Sequence, residues 1–510
     1  MKTRFRDLHL PAGPMGCSAL SLILPFAALL LASPSTTPAA ASGGERDPKI
    51  EGFVDSSHMF SSRHLFEESQ SQIGDIVASG YMSNSELEDA MKDFVRRCHN
   101  ISRMYSIGRS VQNVPLWVIE ISDKPGQEEA EPAFKFIGNV HGDEPVGREL
   151  LISLANWLCD NYMNDDMATM IVKNVHLHIL PTMNPDGFSL RKRNNANNVD
   201  LNRDFPDQFF QANDDVDSRQ PETKAVMRWV KEGHFTASAS LHGGALVANY
   251  PWDGSSDSGR HYYACPDDKA FRYLASVYSN AHHNMSQSLE FRGGITNGAL
   301  WYPIYGGMQD WNYIHGGCFE LTLEISDNKW PNANELPALW EYNKMSMLNL
   351  VGSLVKTGVH GRIVSSSTGH PLPATVMIKG INYNVSAGKI FGDYHRMLTP
   401  DETYEVTAST PGFRLKTTHI SLEGGATSVD FILSLEEDES SGSPIDDCDC
   451  RGLIKREFEQ VEVSGVMNWV AYLSPVILLL GLLYFLLRRK SMSKPVRQRE
   501  SAGIKRSIVV

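Results

Sequence analysis

Residues 134–144 read FKFIGNVHGDE, a mostly apolar run that ends in His141 and Glu144. A parallel strand that is covered on both faces has a nearly continuous apolar sequence, so this run predicts a buried strand. In α/β sheets, ligand-binding residues lie just beyond the carboxyl ends of the strands. His141 and Glu144 occupy that position and can offer an imidazole nitrogen and a carboxylate to one point. By itself, however, such an H-x-x-E pair is a weak signal for a metal site.

The neighbouring sequence predicts an alternation of helices and strands. Helices are predicted where apolar residues recur at helical spacing, and the helix at Ser83 opens with a capping box. Short runs of apolar and β-branched residues predict strands. The predicted helices are 83–98, 145–162, 221–231, a part of 264–290, and 334–355, and the predicted strands are 104–107, 115–121, 175–180, 235–241 and 318–325.

Two of the later strands carry further candidate site residues. The strand at 235–241 is followed by His242, and the strand at 318–325 carries Glu320 and Glu324, which share a face by alternation. Catalytic zinc commonly takes two histidines and one glutamate, which leaves the fourth position for water. A separate glutamate must then accept the proton of that water. From periodicity alone this remains one arrangement among several.

Other polar segments have two interpretations each. His176 and His178 share a strand face, which suits metal ligands but is more typical of packed histidines. The loop 193–206 contains two arginines that could hold a carboxylate, or it is a solvated loop. Residues 185–187 predict a turn, and the aromatic, glycine-rich residues 301–312 predict a loop over a pocket.

Both ends of the chain indicate a secretory, membrane-anchored protein. Residues 1–41 have a basic start, a short apolar run and a small-residue cleavage site, which predicts a signal peptide rather than an anchor. Residues 466–487 are apolar over a length that can cross a bilayer, although a buried helix of a soluble domain is the alternative. Basic residues follow at once, so the cytosolic tail is predicted at 488–510 and the N-terminal bulk on the lumenal side.

The cysteines and the glycosylation sequons agree with a secretory protein, and the net charge limits the class of partner. Loss of Cys17 with the signal leaves six cysteines, which can form disulfides whose pairing the spacing does not reveal. Glycosylation sequons stand at Asn100, Asn284 and Asn384. Cys448 and Cys450 could bind metal, but a disulfide is preferred. The net charge of −13 argues against a nucleic-acid partner.

Seven short motifs, taken together, resemble the zinc metallocarboxypeptidases of the carboxypeptidase D, E and N branch. A membrane-anchored chain with one catalytic unit is most similar to the plant carboxypeptidase D-type enzymes. The motifs occur in the family's order and read HGDE (141–144), NPDG (184–187), RNNANN-x-DLNRDFP (193–206), LHGG (241–244), NYPWD (249–253), GGMQDWNY (306–313) and TLEIS (322–326).

The resemblance implies a role for each matching residue. One zinc ion would be held by His141, Glu144 and His242, and Glu324 would be the general base and acid. Arg193 would polarise the scissile carbonyl. The remaining roles are carboxylate binding by Asn202, Arg203 and Tyr302, selection of a basic side chain by Asp253, a neutral pocket base at Gln309, and orientation of a zinc-bound imidazole by Asp200.

The resemblance also implies the domain organisation. The expected fold is α/β, with a mixed sheet of the eight-stranded type flanked by helices, then a small transthyretin-like β-sandwich and a single transmembrane helix. The expected segments are a signal peptide (1–41), a flexible leader (42–60), the zinc carboxypeptidase domain (61–355), the β-sandwich (356–436), an acidic stalk (437–465), the transmembrane helix (466–487) and the tail (488–510).

The predicted function is therefore removal of C-terminal Arg or Lys from peptides and proproteins by a type I membrane protein of the secretory or endosomal system. Two other classes remain open. A catalytically silent, membrane-tethered receptor would bind basic C-termini without releasing product. A structural adhesion protein would have no use for the paired His and Glu positions.

Overall fold

The computed structural model describes residues 80–210 and 215–436. The predicted signal peptide, leader, stalk, membrane span and tail, together with Cys448 and Cys450, lie outside these ranges. Within the two described ranges, no helix combines the length and the apolar composition needed to cross a bilayer.

An eight-stranded mixed sheet forms the centre of the N-terminal part. Its strand order is β1-β2-β4-β3-β5-β8-β6-β7. The inner strands β4, β3, β5 and β8 run parallel. The pairs β1–β2, β2–β4 and β6–β8 are antiparallel, and β7 runs parallel to β6. The strands are β1 (Ser102–Arg109), β2 (Pro115–Ile121), β3 (Ala133–Gly138), β4 (His176–Leu180), β5 (Ala237–His242), β6 (Ala245–Tyr250), β7 (Ile295–Asn297) and β8 (Phe319–Ser326).

Helices cover both faces of this sheet, as the mostly apolar sequence of β3 predicts. On one face, α2 buries the stripe of Leu150, Leu154 and Leu158. On the other face, α5 buries Val226 and Val230. The helices are α1 (Asn84–Arg97), α2 (Val146–Asn161), α3 (Asp166–Asn174), α4 (Pro185–Ser189), α5 (Pro221–Gly233), α6 (Asp268–Ala281), α7 (Gly298–Trp301), α8 (Met308–Gly316) and α9 (Leu336–Lys356).

Short 3-10 turns connect several of these elements. They span Leu201–Arg203, Val216–Ser218, Met285–Gln287, Arg292–Gly294 and Ala333–Glu335. The capping box predicted at Ser83 is confirmed, because the Ser83 side chain and the Glu86 side chain each bind the other residue's backbone N–H.

Several elements differ from the sequence-based prediction. Helix α3 and strand β6 were not predicted, and the turn at Pro185 is the first turn of α4. The predicted loop 301–312 is wrong from Met308 onward, where α8 begins. Residues 308–313 are buried in succession, so α8 has no amphipathic pattern by which sequence could identify it.

A buried ion pair fixes the register of the central strands. Lys135 on β3 donates to Glu320 on β8 over 2.9 Å, and both side chains are fully buried. Ser238 lies between them in the register of β5 and also donates to Glu320. Because an unpaired buried charge is strongly unfavourable, a slipped register would be penalised. Glu320, for which the sequence suggested no role, is therefore structural.

The two histidines of β4 are packed rather than metal-binding. His178 forms a hydrogen bond with the Tyr105 hydroxyl over 2.9 Å, and His176 forms one with Glu120 over 2.9 Å. Burial lowers the pKa of His178 to about 3, which keeps it neutral. Among the described residues, the groups of three that could share a metal do not include either histidine.

The cysteines only partly form disulfides. Cys98 at the end of α1 is bonded to Cys159 of α2. Cys265 and Cys318 are free thiols in the interior. The six-cysteine set is thus not fully paired within the described residues.

The chain after α9 forms two further sheets that share one hydrophobic core, here called the sheet pair (residues 359–433). One sheet has the order β11-β10-β13-β14, and the other contains β12, β9, β15 and β16. The strands are β9 (Val359–Ser365), β10 (Thr375–Ile378), β11 (Ile381–Ser386), β12 (Asp393–Arg396), β13 (Thr403–Ser409), β14 (Lys416–Ser421), β15 (Thr427–Ser428) and β16 (Phe431–Leu433).

Candidate active site

Two imidazoles and one carboxylate meet at the carboxyl ends of β3 and β5. His141 follows β3, His242 is the last residue of β5, and Glu144 lies in the turn before α2. The His141 Nδ1 atom lies 3.0 Å from Glu144 Oε2 and 3.1 Å from His242 Nδ1, and the last two atoms are 3.0 Å apart. Donors about 2.0–2.1 Å from a tetrahedral zinc ion are separated by roughly 3.3 Å, so the triangle has the size of a zinc site.

The position of the proton on His141 also suits the binding of a cation at this site. His141 Nε2 lies 3.1 Å from Asp200 Oδ1, so this nitrogen carries the proton that is donated to the carboxylate. His141 Nδ1 then presents a lone pair, and it faces a second imidazole nitrogen and a carboxylate oxygen at close range. Three electron-rich atoms directed at one point require a positive charge between them. The donor set of two histidines and one glutamate fits zinc.

Asp200 holds two site residues at once. Its Oδ2 atom accepts a hydrogen bond from Arg193 Nε over 2.9 Å, while its Oδ1 atom accepts one from His141 Nε2. Burial alone would raise the pKa of Asp200, but its hydrogen bond to His141 and the positive charge of Arg193 lower it strongly. Arg193 is thereby placed beside Glu144, with 3.5 Å between Nη1 and Oε1.

Packing of remote motifs brings these residues together. A Cβ at Gly142 would lie 2.0 Å from the Gly187 carbonyl carbon, so only glycine allows this approach. The Asn184 amide donates to the carbonyls of Val140 and Arg193, and its oxygen accepts from Gly187 N. These contacts join three segments into the base of the site, namely 141–144, 184–187 and 193–206.

Glu324 lies next to His242 in the register of β5 and β8. Its side chain is buried, and its Oε2 atom has no hydrogen-bond partner in the described part of the chain. Burial, and next the charge of Glu144, raise its pKa well above the usual range of a glutamate. A carboxylate with a raised pKa is a better proton acceptor near neutral pH.

Lys329 belongs to the same site, although the sequence analysis did not identify it. Its Nζ atom lies 2.6 Å from Glu144 Oε1, the oxygen that faces away from the two imidazoles. The residue follows β8 in an irregular segment. No spacing rule connects position 329 with position 144, so only the fold reveals the contact.

A second carboxylate, that of Asp253, lines the same cavity. Asp253 Oδ1 accepts from Asn249 Nδ2 and Gln309 Nε2, each over 2.9 Å. Its Oδ2 atom is buried and has no hydrogen-bond partner among the described residues. Burial raises the pKa of Asp253 to about 6, and the nearby charge of Arg203 partly opposes this effect.

Helix α8 fixes the position of that carboxylate. Gln309 Oε1 accepts from Thr322 N over 2.7 Å, which leaves the amide nitrogen directed at Asp253. Asp310, a residue that the sequence analysis did not single out, accepts from Asp253 N over 3.1 Å with both oxygens. Gln309 therefore orients Asp253 rather than serving only as a neutral pocket base.

The predicted carboxylate-binding residues line the same cavity as the candidate zinc ligands, Glu324 and Asp253. Asn202 is buried, and its Oδ1 atom accepts from Met308 N over 2.9 Å. Tyr302 is half-exposed at the cavity wall. The structure thus brings together all the predicted site residues, Asn202, Arg203 and Tyr302 included. The sequons at Asn100, Asn284 and Asn384 lie elsewhere, and all three side chains are exposed.

Residues 87–346 match a family model described as zinc carboxypeptidase. Carboxypeptidase SOL1 of Arabidopsis thaliana is 58% identical over 475 residues, which cover 92% of this chain and 95% of that protein. Human carboxypeptidase D is 43% identical over 377 residues, which cover 70% of this chain but only 27% of that protein. The mouse carboxypeptidase N catalytic chain is 41% identical over 378 residues, 66% of this chain and 82% of that protein.

Proposed function

The chain belongs to the zinc carboxypeptidase family, and from this premise we propose that it removes C-terminal Arg or Lys from peptides and proproteins in the secretory or endosomal lumen. Its general activity as a zinc metallocarboxypeptidase, and the resemblance on which the sequence analysis relied, are confirmed. The preference for basic residues is the proposal. The observation that carries it is the buried Asp253 carboxylate, which lines the cavity and has one oxygen without a hydrogen-bond partner among the described residues.

Charge complementarity supports this specificity. A buried carboxylate is unfavourable unless a cation approaches it, so an apolar C-terminal side chain would leave Asp253 without compensation. Arg and Lys side chains place a positive group several bonds from the α-carbon, which suits a carboxylate at the end of a cavity. The Asn249 and Gln309 amides hold one oxygen and leave the other available.

In the proposed reaction, the chain's own residues position the substrate and move the proton. Asn202, Arg203 and Tyr302 bind the terminal carboxylate, because a guanidinium fork with amide and phenol donors matches that group. Glu324 accepts the proton of the attacking water and later transfers it to the leaving amine. Arg193 stabilises negative charge on the former carbonyl oxygen. Zinc held by His141, Glu144 and His242 supplies a Lewis acid and lowers the pKa of water.

A cleavage assay with dansylated Ala-Arg, Ala-Lys and Ala-Phe dipeptides tests the proposal. We expect release of free Arg or Lys that a chelator abolishes and added zinc restores. Cleavage of Ala-Phe at an equal rate would contradict the basic specificity. Binding of Ala-Arg without any product would instead indicate a silent receptor.

We propose the domain limits and location as the sequence predicts them, with the catalytic domain at 61–355, a transthyretin-like domain at 356–436 and a single membrane span at 466–487. The disulfide between Cys98 and Cys159 supports an oxidising, lumenal environment. Exposure of Asn100, Asn284 and Asn384 agrees with glycosylation there. Insensitivity of the mature chain's electrophoretic mobility to glycosidase would contradict modification of these sequons.

A further inference from the structure

Helix α8 connects the Asp253 pocket with the sheet pair. Its first turn faces the pocket, where Gln309 and Asp310 hold Asp253 and where Met308 N donates to Asn202. One turn later, Tyr313 contacts Tyr383 of β11 and, through Asp267, is linked to Arg396 of β12. The helix is nine residues long, so a displacement at Tyr313 is transmitted directly to its first turn.

Tyr383 of β11 holds Tyr313 in two ways. The two rings are stacked, with centroids 4.1 Å apart and an interplanar angle of 22°. The Tyr383 hydroxyl also donates to the Tyr313 carbonyl oxygen. This carbonyl belongs to the backbone of α8, so the bond acts on the helix itself and not only on one side chain.

Arg396 of β12 holds the same tyrosine through Asp267. Arg396 Nη2 lies 2.7 Å from Asp267 Oδ1, and both side chains are fully buried. The Tyr313 hydroxyl donates to the other oxygen, Oδ2, over 2.7 Å. The guanidinium also lies over the rings of Phe319 and Tyr383, at 5.4 and 5.9 Å from their centroids. A buried charge pair of this kind tolerates little displacement, because separating the partners leaves an uncompensated charge.

We propose that the sheet pair is a structural part of the specificity pocket, with Tyr383 and Arg396 as positioning residues that act on Asp253 through α8. The family resemblance implies a β-sandwich here and no part in substrate binding. The inference rests on the proposed function, because it requires that Asp253 binds the basic side chain. The zinc ligands lie on β3, β5 and the turn before α2, so the effect should fall on substrate binding more than on turnover.

Tyr383→Phe in the full chain is the most direct test, since it removes the hydroxyl and keeps the stacked ring. We expect KM for dansyl-Ala-Arg, and the inhibition constant of free arginine, to rise about three- to tenfold, the range that one net hydrogen bond gives. We expect little change in kcat. The matched control is Tyr394→Phe, because the Tyr394 hydroxyl donates to Val429 O within the sheet pair, and among the described residues it has no hydrogen bond to α8.

Arg396→Met combined with Asp267→Asn provides a second variant that leaves no unpaired buried charge. It should raise KM for the Arg-ended dipeptide in the same way as Tyr383→Phe. Equal KM shifts in Tyr383→Phe and Tyr394→Phe, or a lower Tm without any change in KM, would overturn the inference. Asp253→Asn, assayed on the same substrate, distinguishes a failure of the proposed specificity from a failure of the proposed role of the sheet pair. If Asp253→Asn is without effect, the proposed specificity fails, whereas an effect of Asp253→Asn alone refutes only the role of the sheet pair.

Discussion

At the scale of single residues, two buried carboxyl groups in one cavity differ in their surroundings. Glu324 lies beside the negative Glu144 and has an oxygen without a hydrogen-bond partner among the described residues. Asp253 is held by two amide donors and lies near the positive Arg203. The first environment favours proton uptake, and the second keeps a carboxylate available for a cation. The two proposed roles follow from these differences.

Glu324→Gln tests the role of the proton acceptor. We expect kcat on dansyl-Ala-Arg to fall by about 10²–10⁴-fold, because an amide cannot accept the proton. Zinc content, measured by elemental analysis, and KM should change little, since Glu324 is not among the three proposed ligands. Glu341→Gln, at an exposed position where the carboxylate pairs with Lys344, is the control. A Glu324→Gln enzyme with wild-type turnover would show that another group is the base.

The raised pKa of Asp253 predicts that substrate binding depends on pH. Its raised pKa of about 6 means that the carboxyl takes up a proton as the pH falls through that value, and the attraction for a cation is then lost. We therefore expect KM for dansyl-Ala-Arg to increase below about pH 6, while Asp253→Asn has a high KM at every pH. Parallel pH profiles for the wild-type enzyme and Asp253→Asn would contradict this assignment.

At the scale of secondary-structure elements, the site depends on the ends of parallel strands and on one short helix. Strands β3, β5 and β8 bring His141, His242 and Glu324 to one edge of the sheet. The Lys135–Glu320 pair holds the same three strands in register near their other ends. Correct register at the buried pair and correct geometry at the active site are consequently linked.

Lys135→Met should lower the stability of the chain by about 3–5 kcal/mol, because Glu320 remains as an uncompensated buried charge. Thermal unfolding followed by circular dichroism measures the change. The double variant Lys135→Met/Glu320→Gln removes both charges, and we expect it to recover a large part of the lost Tm. A single variant as stable as the wild-type protein would show that the pair does not constrain the strands.

At the scale of the whole molecule, the central sheet region and the sheet pair are joined by polar as well as apolar contacts. The Arg396–Asp267 pair and the stacked Tyr313 and Tyr383 rings lie between the central sheet region and the sheet pair. Buried charges and hydrogen bonds require a defined geometry, whereas a purely apolar contact could slide. The sheet pair is therefore held in one orientation relative to α8.

The sequence by itself determined the strand ends, the order of the motifs and the residues that meet there. Parallel strands of one sheet share an edge, which makes His141, Glu144, His242 and Glu324 candidates for one site, but periodicity alone left this as one arrangement among several. The family resemblance assigned their roles. The family resemblance added Arg193, Asp200 and Asp253. Helix α3 was not predicted although Asp165 caps it and Ala168, Ile171 and Val172 are buried at helical spacing, and strand β6 was not predicted either.

Only the tertiary structure decided which residues support the site. The contacts of Lys329 with Glu144, of Asp310 with Asp253, and of Tyr383 with Tyr313 join positions far apart in the chain. No periodicity relates such positions, because each contact depends on how whole elements pack and not on local spacing. Helix α8 shows the same limit, since a short helix that is buried on most sides has no polar face to mark its period.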